Sequence, residues 1–145
     1  MGYDAVQYDD NNIFAKILRG EVPCHKVYES ERTLAFMDLM PQSPGHILVA
    51  PKVKAVNLLD IPAKNLQDLI ADVQIVARAA LEAFSADGVS VFQFNGEAAG
   101  QTVFHLHFHI VPRYAGEVLT HHASEQVGED VLEQQAERVR TVLAR

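Results

Sequence analysis

Leu66, Leu69, Ile70, Val73, Ala77, Ala80, Leu81 and Phe84 recur at spacings of three, four and seven. That spacing predicts one long amphipathic helix over 63–84, its apolar stripe turned towards a sheet or a partner. Val131, Leu132, Val139, Val142 and Leu143 give a second helical pattern over 130–143. Asn12 is placed to cap a short helix that runs to Arg19 and stops at Gly20. Between these segments the apolar period drops to two. Residues 26–29 and 33–38 read as a hairpin around Glu31-Arg32. The stretch from Pro41 to Pro44 breaks the chain, 45–50 is a short apolar strand closed by Pro51, and Asp87-Gly88 turns into a strand over 89–93 that leads to Asn95. Strands come in antiparallel-looking pairs, apart from one long helix, which is the pattern of an α+β fold. Residues 1–10 are polar and expected to be loose, and 11–145 form one domain by length.

One strand pattern carries chemistry. Residues 105–111 read His-Leu-His-Phe-His-Ile-Val. On a strand, His105, His107 and His109 project one way and Leu106, Phe108 and Ile110 the other. Three of the chain's seven histidines therefore line up in a row. Imidazole titrates near neutrality, so such a row can attack, donate or accept protons at physiological pH. Two other readings compete with catalysis: incidental surface histidines, and a zinc site, since His-x-His on a strand is a known zinc arrangement completed from elsewhere. A straight strand cannot aim all three rings at one ion.

Composition narrows the function classes. Apolar content of 48% and charged content of 21% are those of a globular chain. A net charge of −7 argues against a general nucleic-acid surface but not against a small phosphate ligand, which needs only local donors. Cys24 is the single cysteine, so no intrachain disulfide forms, and a packed thiol in a reducing, cytoplasmic compartment is expected. The acidic start of the chain has no apolar core of a signal peptide, Val6 stands where myristoylation needs a hydroxyl, and no apolar run approaches a membrane span.

The flanks of the histidine row add a family resemblance. All seven positions from His105 to Val111 match the His-φ-His-φ-His-φ-φ signature (φ apolar) of the histidine triad, or HIT, superfamily. Gly100-Gln-Thr-Val103, Ile13-Phe-Ala-Lys-Ile17, Leu34-Ala-Phe-Met-Asp38 and Pro44-Gly-His-Ile-Leu-Val-Ala-Pro51 are similar to further blocks of that family, in family order. The resemblance implies a five-stranded antiparallel sheet with one long helix and a C-terminal helix, usually in a homodimer. It implies that His107 attacks the α-phosphate of a nucleotide and is transiently nucleotidylated, with a backbone carbonyl holding its Nδ1–H. His109 would touch the phosphate oxygens and His105 would support the site. His46, Thr102 and Gln101 would lie near the phosphate or leaving group, and the small-residue loop 98–102 would offer backbone N–H groups to the anion. Asp38 would accept hydrogen bonds from the ribose hydroxyls, Asn95 would sit near ribose and phosphate, and Ile13, Phe14, Ile17, Phe36, Leu39 and Leu48 would enclose the base of an AMP-type purine nucleotide. Relatives that hold structural zinc carry cysteines and a histidine where this chain has Asn12, Ala15 and Lys54, so neither metal nor cofactor is expected. The N-terminal block resembles the phosphoramidate-hydrolase branch, whereas Val111-Pro-Arg113 resembles the branch that cleaves dinucleoside polyphosphates. A non-catalytic nucleotide-binding or scaffold protein is the alternative outside enzymes.

Overall fold

A computed structural model describes residues 2–119 and 126–145. The elements follow in the order α1 (Ile13–Leu18), β1 (Lys26–Glu29), β2 (Thr33–Met37), β3 (Ile47–Pro51), α2 (Ala63–Ala83), β4 (Gly88–Phe92), β5 (Phe108–Arg113) and α3 (Glu129–Leu143), with a single 3-10 turn at Glu97–Ala99 between β4 and β5. The strands form one five-stranded sheet in the order β1-β2-β3-β5-β4, every neighbour antiparallel. The α+β architecture is the expected one, and the element ends fall within about two residues of the sequence reading except at β5, which begins at Phe108 rather than at His105. Asn12 caps α1 as anticipated, its Oδ1 accepting from the Ala15 N–H at 2.9 Å.

The central strands are buried on both faces, which is why β2 and β3 read as continuous apolar runs. Ala35, Met37, Ile47, Val49 and Ile110 join the helices in the main core. Leu34, Phe36 and Leu48 face the other way and pack with Phe14 of α1 in a second, smaller cluster. Cross-strand register places Phe36 opposite Leu48, Leu48 opposite His109 and His109 opposite Phe92. That row sets the histidine beside the small cluster.

Helix α2 corrects one expectation. Its buried face is Leu69, Asp72, Val73, Val76, Ala79, Ala80 and Ala83, while Ile70 and Leu81 stay exposed. The edge of the stripe is shifted because a carboxylate lies within it. Asp72 is buried and accepts from the hydroxyls of Tyr28 at 2.9 Å, Thr33 at 2.5 Å and Ser30 at 3.3 Å. A periodicity count that treats Asp as a surface residue misses this edge of the face, although Leu69, Val73, Ala80 and Phe84 are buried as read; three hydroxyl donors supply the hydrogen bonds that a buried carboxylate demands.

The N-terminal segment makes contacts that its polar sequence does not announce. Tyr3 and Tyr8 both reach partners on the body of the domain, Asn57 and His105, so this polar stretch is anchored by phenol hydroxyls rather than by an apolar stripe.

Candidate functional site

Between α1, the ends of β2 and β3 and the approach to β5 lies a pocket of about 370 Å³, within the range of small-molecule sites. Phe14, Ile17, Phe36 and Leu48 line it, with Ile13 and Leu39 at its more exposed rim, so all six residues expected around a base are brought together. Asp38, Thr102, His107 and His109 line it as well. Val22, Pro23, Cys24, Met37, Met40, Val103 and Gln126 complete the wall and were not anticipated. Most belong to loops without periodicity, so only their place in space identifies them. Burial raises the pKa of the Cys24 thiol, which keeps it an unreactive wall group.

Regular strand geometry begins only at Phe108, so the histidines are not an even row. The bend brings His105 into the interior, where it is completely buried and does not line the pocket. Its Nε2 lies 2.8 Å from the Pro51 carbonyl, and its Nδ1 lies 2.6 Å from the Tyr8 hydroxyl. His107 follows, with Nδ1 at 2.7 Å from the carbonyl of His105. A carbonyl only accepts, so His107 carries its hydrogen on Nδ1 and keeps the Nε2 lone pair free. Its pKa is lowered to about 4, chiefly by burial and further by the neighbouring His105 ring, against the opposing pull of the carbonyl. Near neutral pH it is an uncharged base of fixed tautomer, edge-on to Phe14 with ring centres 4.7 Å apart.

The third histidine is set the other way round. The Gln42 N–H donates to His46 Nδ1 at 3.0 Å, so the neutral His46 ring bears its hydrogen on Nε2. That nitrogen is 3.0 Å from His109 Nδ1, which therefore accepts, and His109 holds its own hydrogen on Nε2. The ring of His109 is stacked on Phe92 at 4.7 Å and lies 4.9 Å from His107, centre to centre. His46 itself is buried behind His109 and is not a pocket wall, so it orients rather than meets a phosphate.

Three other expected contacts are differently employed. The buried Gln101 amide accepts from Asn57 Nδ2 and the Gly96 N–H, and donates to the carbonyls of Val56 and Val103. Both of its hydrogens and both lone pairs are used, so it braces the loop instead of touching a ligand. The N–H groups of Ala99, Gly100 and Gln101 close the turn onto the carbonyls of Gly96 and Glu97, which removes them as anion donors. Asn95 ties the Leu58 N–H to Gln93 and lies outside the pocket. Thr102 remains at the pocket wall as expected.

Asp38, His46 and His109 bring three donor atoms within 4.8 Å of one another, close enough to share a cation. The hydrogen-bond polarity opposes it. Metal-bound histidine donates its second N–H outward, whereas His46 accepts there from Gln42 and points a hydrogen at the would-be ion. Asp38 also holds the Met40 N–H at 2.9 Å, a turn contact that fixes its orientation at the rim.

Comparison with known proteins decides the relationship. The HIT domain family matches residues 19–116. This chain belongs to the HIT family. A HIT-like protein from Bartonella henselae, solved with an unidentified ligand, superposes with a TM-score of 0.88 at 48% identity, over 94% of this chain and 99% of that one. An adenosine 5'-monophosphoramidase of Schizosaccharomyces pombe is 39% identical over 101 residues, 70% of this chain and 73% of its own length. An adenylylsulfatase of Arabidopsis thaliana is 37% identical over 77% of this chain, which spans 59% of that longer protein. Among the described residues of this HIT protein, no helix is long and apolar enough to cross a membrane.

Proposed function

We propose that this HIT protein is a nucleotide hydrolase that cleaves nucleoside 5'-phosphoramidates of the AMP type at the α-phosphate. The observation that carries the reading is the pair of opposed tautomers, a free lone pair on His107 and a hydrogen on Nε2 of His109, at one end of an apolar pocket. His107 Nε2 attacks phosphorus, the P–N bond to the leaving amine breaks, and His109 passes its hydrogen to that nitrogen. Water then attacks the nucleotidyl-histidine, His109 takes back a proton, and the P–N bond to His107 breaks to release the nucleotide. Asp38 accepts from the ribose hydroxyls.

The phosphoramidate reading is preferred to dinucleoside polyphosphate cleavage for a structural reason. Among the described residues that line the pocket there is no Lys or Arg. A single phosphate between two imidazoles needs none, whereas further phosphates call for cationic clamps. The activity named for the fission-yeast relative supports the same choice. A homodimer accompanies this reading. Ile70 and Leu81 of α2 and Val91 of the edge strand β4 are large apolar groups left in solvent, which a second copy would cover. Sedimentation should give twice the 16.0 kDa of one chain, and a mass that stays at 16.0 kDa at all concentrations rejects it.

The deciding assay offers an AMP–amine conjugate beside a dinucleoside polyphosphate. The conjugate should turn over faster, His107→Asn should lower the rate by several orders of magnitude, and quenched wild-type protein should carry nucleotide mass on the 105–111 peptide. A variant within tenfold of wild type would overturn the mechanism.

A further inference from the structure

A tyrosine-to-histidine connection lies behind the nucleophile, and it begins in the N-terminal arm. Tyr8 Oη is 2.6 Å from His105 Nδ1, and the two rings meet edge-on with centres 5.6 Å apart. The other nitrogen of His105 faces the Pro51 carbonyl at 2.8 Å, which can only accept. His105 must therefore carry its hydrogen on Nε2, and the Tyr8 hydroxyl must be the donor to Nδ1. The carbonyl of the same residue, His105, receives the Nδ1–H of His107 at 2.7 Å. Phenol, buried ring, main-chain carbonyl and nucleophile thus follow one another without a gap. The arm is fixed around Tyr8 by groups that do not touch the triad. The Asp10 carboxylate meets Lys54 Nζ at 2.6 Å, and its carbonyl accepts from Arg19 Nη1 at 2.8 Å. Further out, Tyr3 Oη accepts from Asn57 Nδ2 at 3.0 Å.

We infer that Tyr8 is a positioning residue for the nucleophile: its hydroxyl locks His105 in the Nε2–H tautomer and so holds the His105 carbonyl on the Nδ1–H of His107 through both displacement steps. The inference rests on the nucleotidyl-transfer reading above and adds a residue that lies 97 positions before His105. When His107 Nε2 bonds to phosphorus, positive charge spreads over its ring and the Nδ1–H becomes a stronger donor. A carbonyl already fixed in place stabilises that charge without reorganising. Without the phenol, His105 is a buried ring with an unmet acceptor, free to change tautomer or to take a proton at Nδ1. The groups that face it are Tyr8 from the arm, the Pro51 carbonyl at the end of β3, the Asp60 carboxylate ahead of α2, and the His107 ring. Burial opposes the protonated form, while the Pro51 carbonyl and then the Asp60 carboxylate favour it. Loss of the Tyr8 hydroxyl shifts that balance towards a cation beside the nucleophile, which suppresses its attack at lower pH.

The test is Tyr8→Phe in the full chain, which keeps the ring contact and removes one oxygen. With an AMP–amine conjugate as probe, kcat should fall roughly tenfold or more while KM stays within about twofold, and the acid limb of kcat should move to higher pH. Tyr3→Phe is the control: it removes a hydroxyl from the same arm without touching the triad, and should lower the melting temperature while kcat stays at the wild-type value. Wild-type kcat and pH profile in Tyr8→Phe overturns the inference, as does an equal loss of kcat in Tyr3→Phe, which would make the arm a brace only. If wild-type protein leaves the conjugate uncleaved, the hydrolase reading falls by itself. Imidazole nitrogen shifts then still decide on Tyr8: mixed tautomers at His105 in Tyr8→Phe support it, and shifts identical to wild type overturn it.

Discussion

Acid should destabilise this protein through His107. The His107 pKa is lowered to about 4 from an ordinary 6.5, first by burial and then by the His105 ring, with the His105 carbonyl pulling the other way. The unfolded chain takes up a proton at this residue as pH falls through about 6.5, while the folded chain resists until about 4. Stability is therefore intact above that window and declines as pH falls across it. At about pH 5 the two titrations differ by roughly 2 kcal/mol. That figure is a ceiling, because one edge of the ring opens to the pocket, where water can reach it. His107→Asn deletes the titrating group. Denaturant unfolding of both proteins at about pH 8 and about pH 5 should show wild type losing up to roughly 2 kcal/mol more than the variant. Other acid-sensitive groups, such as Glu29 with its pKa held at about 2 by Lys26 and Lys52, occur in both proteins and cancel in the difference. Equal acid losses in the two proteins would refute a desolvated, neutral His107.

Asp38→Ala should erase most of the preference for ribose over deoxyribose, a preference of about 1–3 kcal/mol, or roughly tenfold to a hundredfold; equal turnover of both sugars by wild type would remove Asp38 from that role. Asp72→Ala leaves three hydroxyls without their acceptor and should cost about 3 kcal/mol in thermal or denaturant unfolding while turnover of the surviving folded protein is retained. Prolonged chelation should leave hydrolysis unchanged, since His46 directs a hydrogen at the shared donor cluster; stoichiometric metal lost together with activity would show the tautomer assignment to be wrong.

The long helix, the hairpin, the apolar central strands and most of the apolar pocket lining were legible because each is written in local periodicity or in a block of neighbouring residues. The edge of the buried face of α2 was not, because Asp72 is satisfied by Tyr28, Ser30 and Thr33, residues about 40 positions away that no helical count includes. The Gln101 amide and the N–H groups of Ala99, Gly100 and Gln101 were misread for a related reason. Sequence shows which residues can donate hydrogen bonds but not whether those donors are already taken, and here the turn and its own amide consume them. The same blindness hid Tyr8: a phenol in a polar, acidic stretch has no period and no motif, and only folding brings it onto His105.

What distinguishes the histidines from one another is the main chain around them. His107 is followed by an apolar residue and preceded by another, as are His105 and His109, so residue type and local pattern assign all three the same chemistry. The structure does not. A carbonyl on Nδ1 leaves the lone pair of His107 on Nε2. An amide N–H at Gln42, relayed through His46, makes His109 a donor at the corresponding nitrogen. Exchanging those roles would need the main chain to present an N–H where it presents a carbonyl, a change no side-chain substitution achieves. Side-chain substitution can only break the relay. In His46→Ala, His109 loses the donor that holds its hydrogen on Nε2, so proton delivery to a poor leaving group should suffer while attack by His107 is spared. The rate of forming the nucleotidyl-histidine should then depend on the leaving group far more steeply than in wild type. Loss of a buried, well-oriented donor is worth about 1–3 kcal/mol, so amine conjugates should slow by roughly tenfold to a hundredfold, and conjugates whose leaving group departs without a proton should hardly slow at all. An equal slowing for both kinds of leaving group would show that His46 supports the fold rather than the proton on His109.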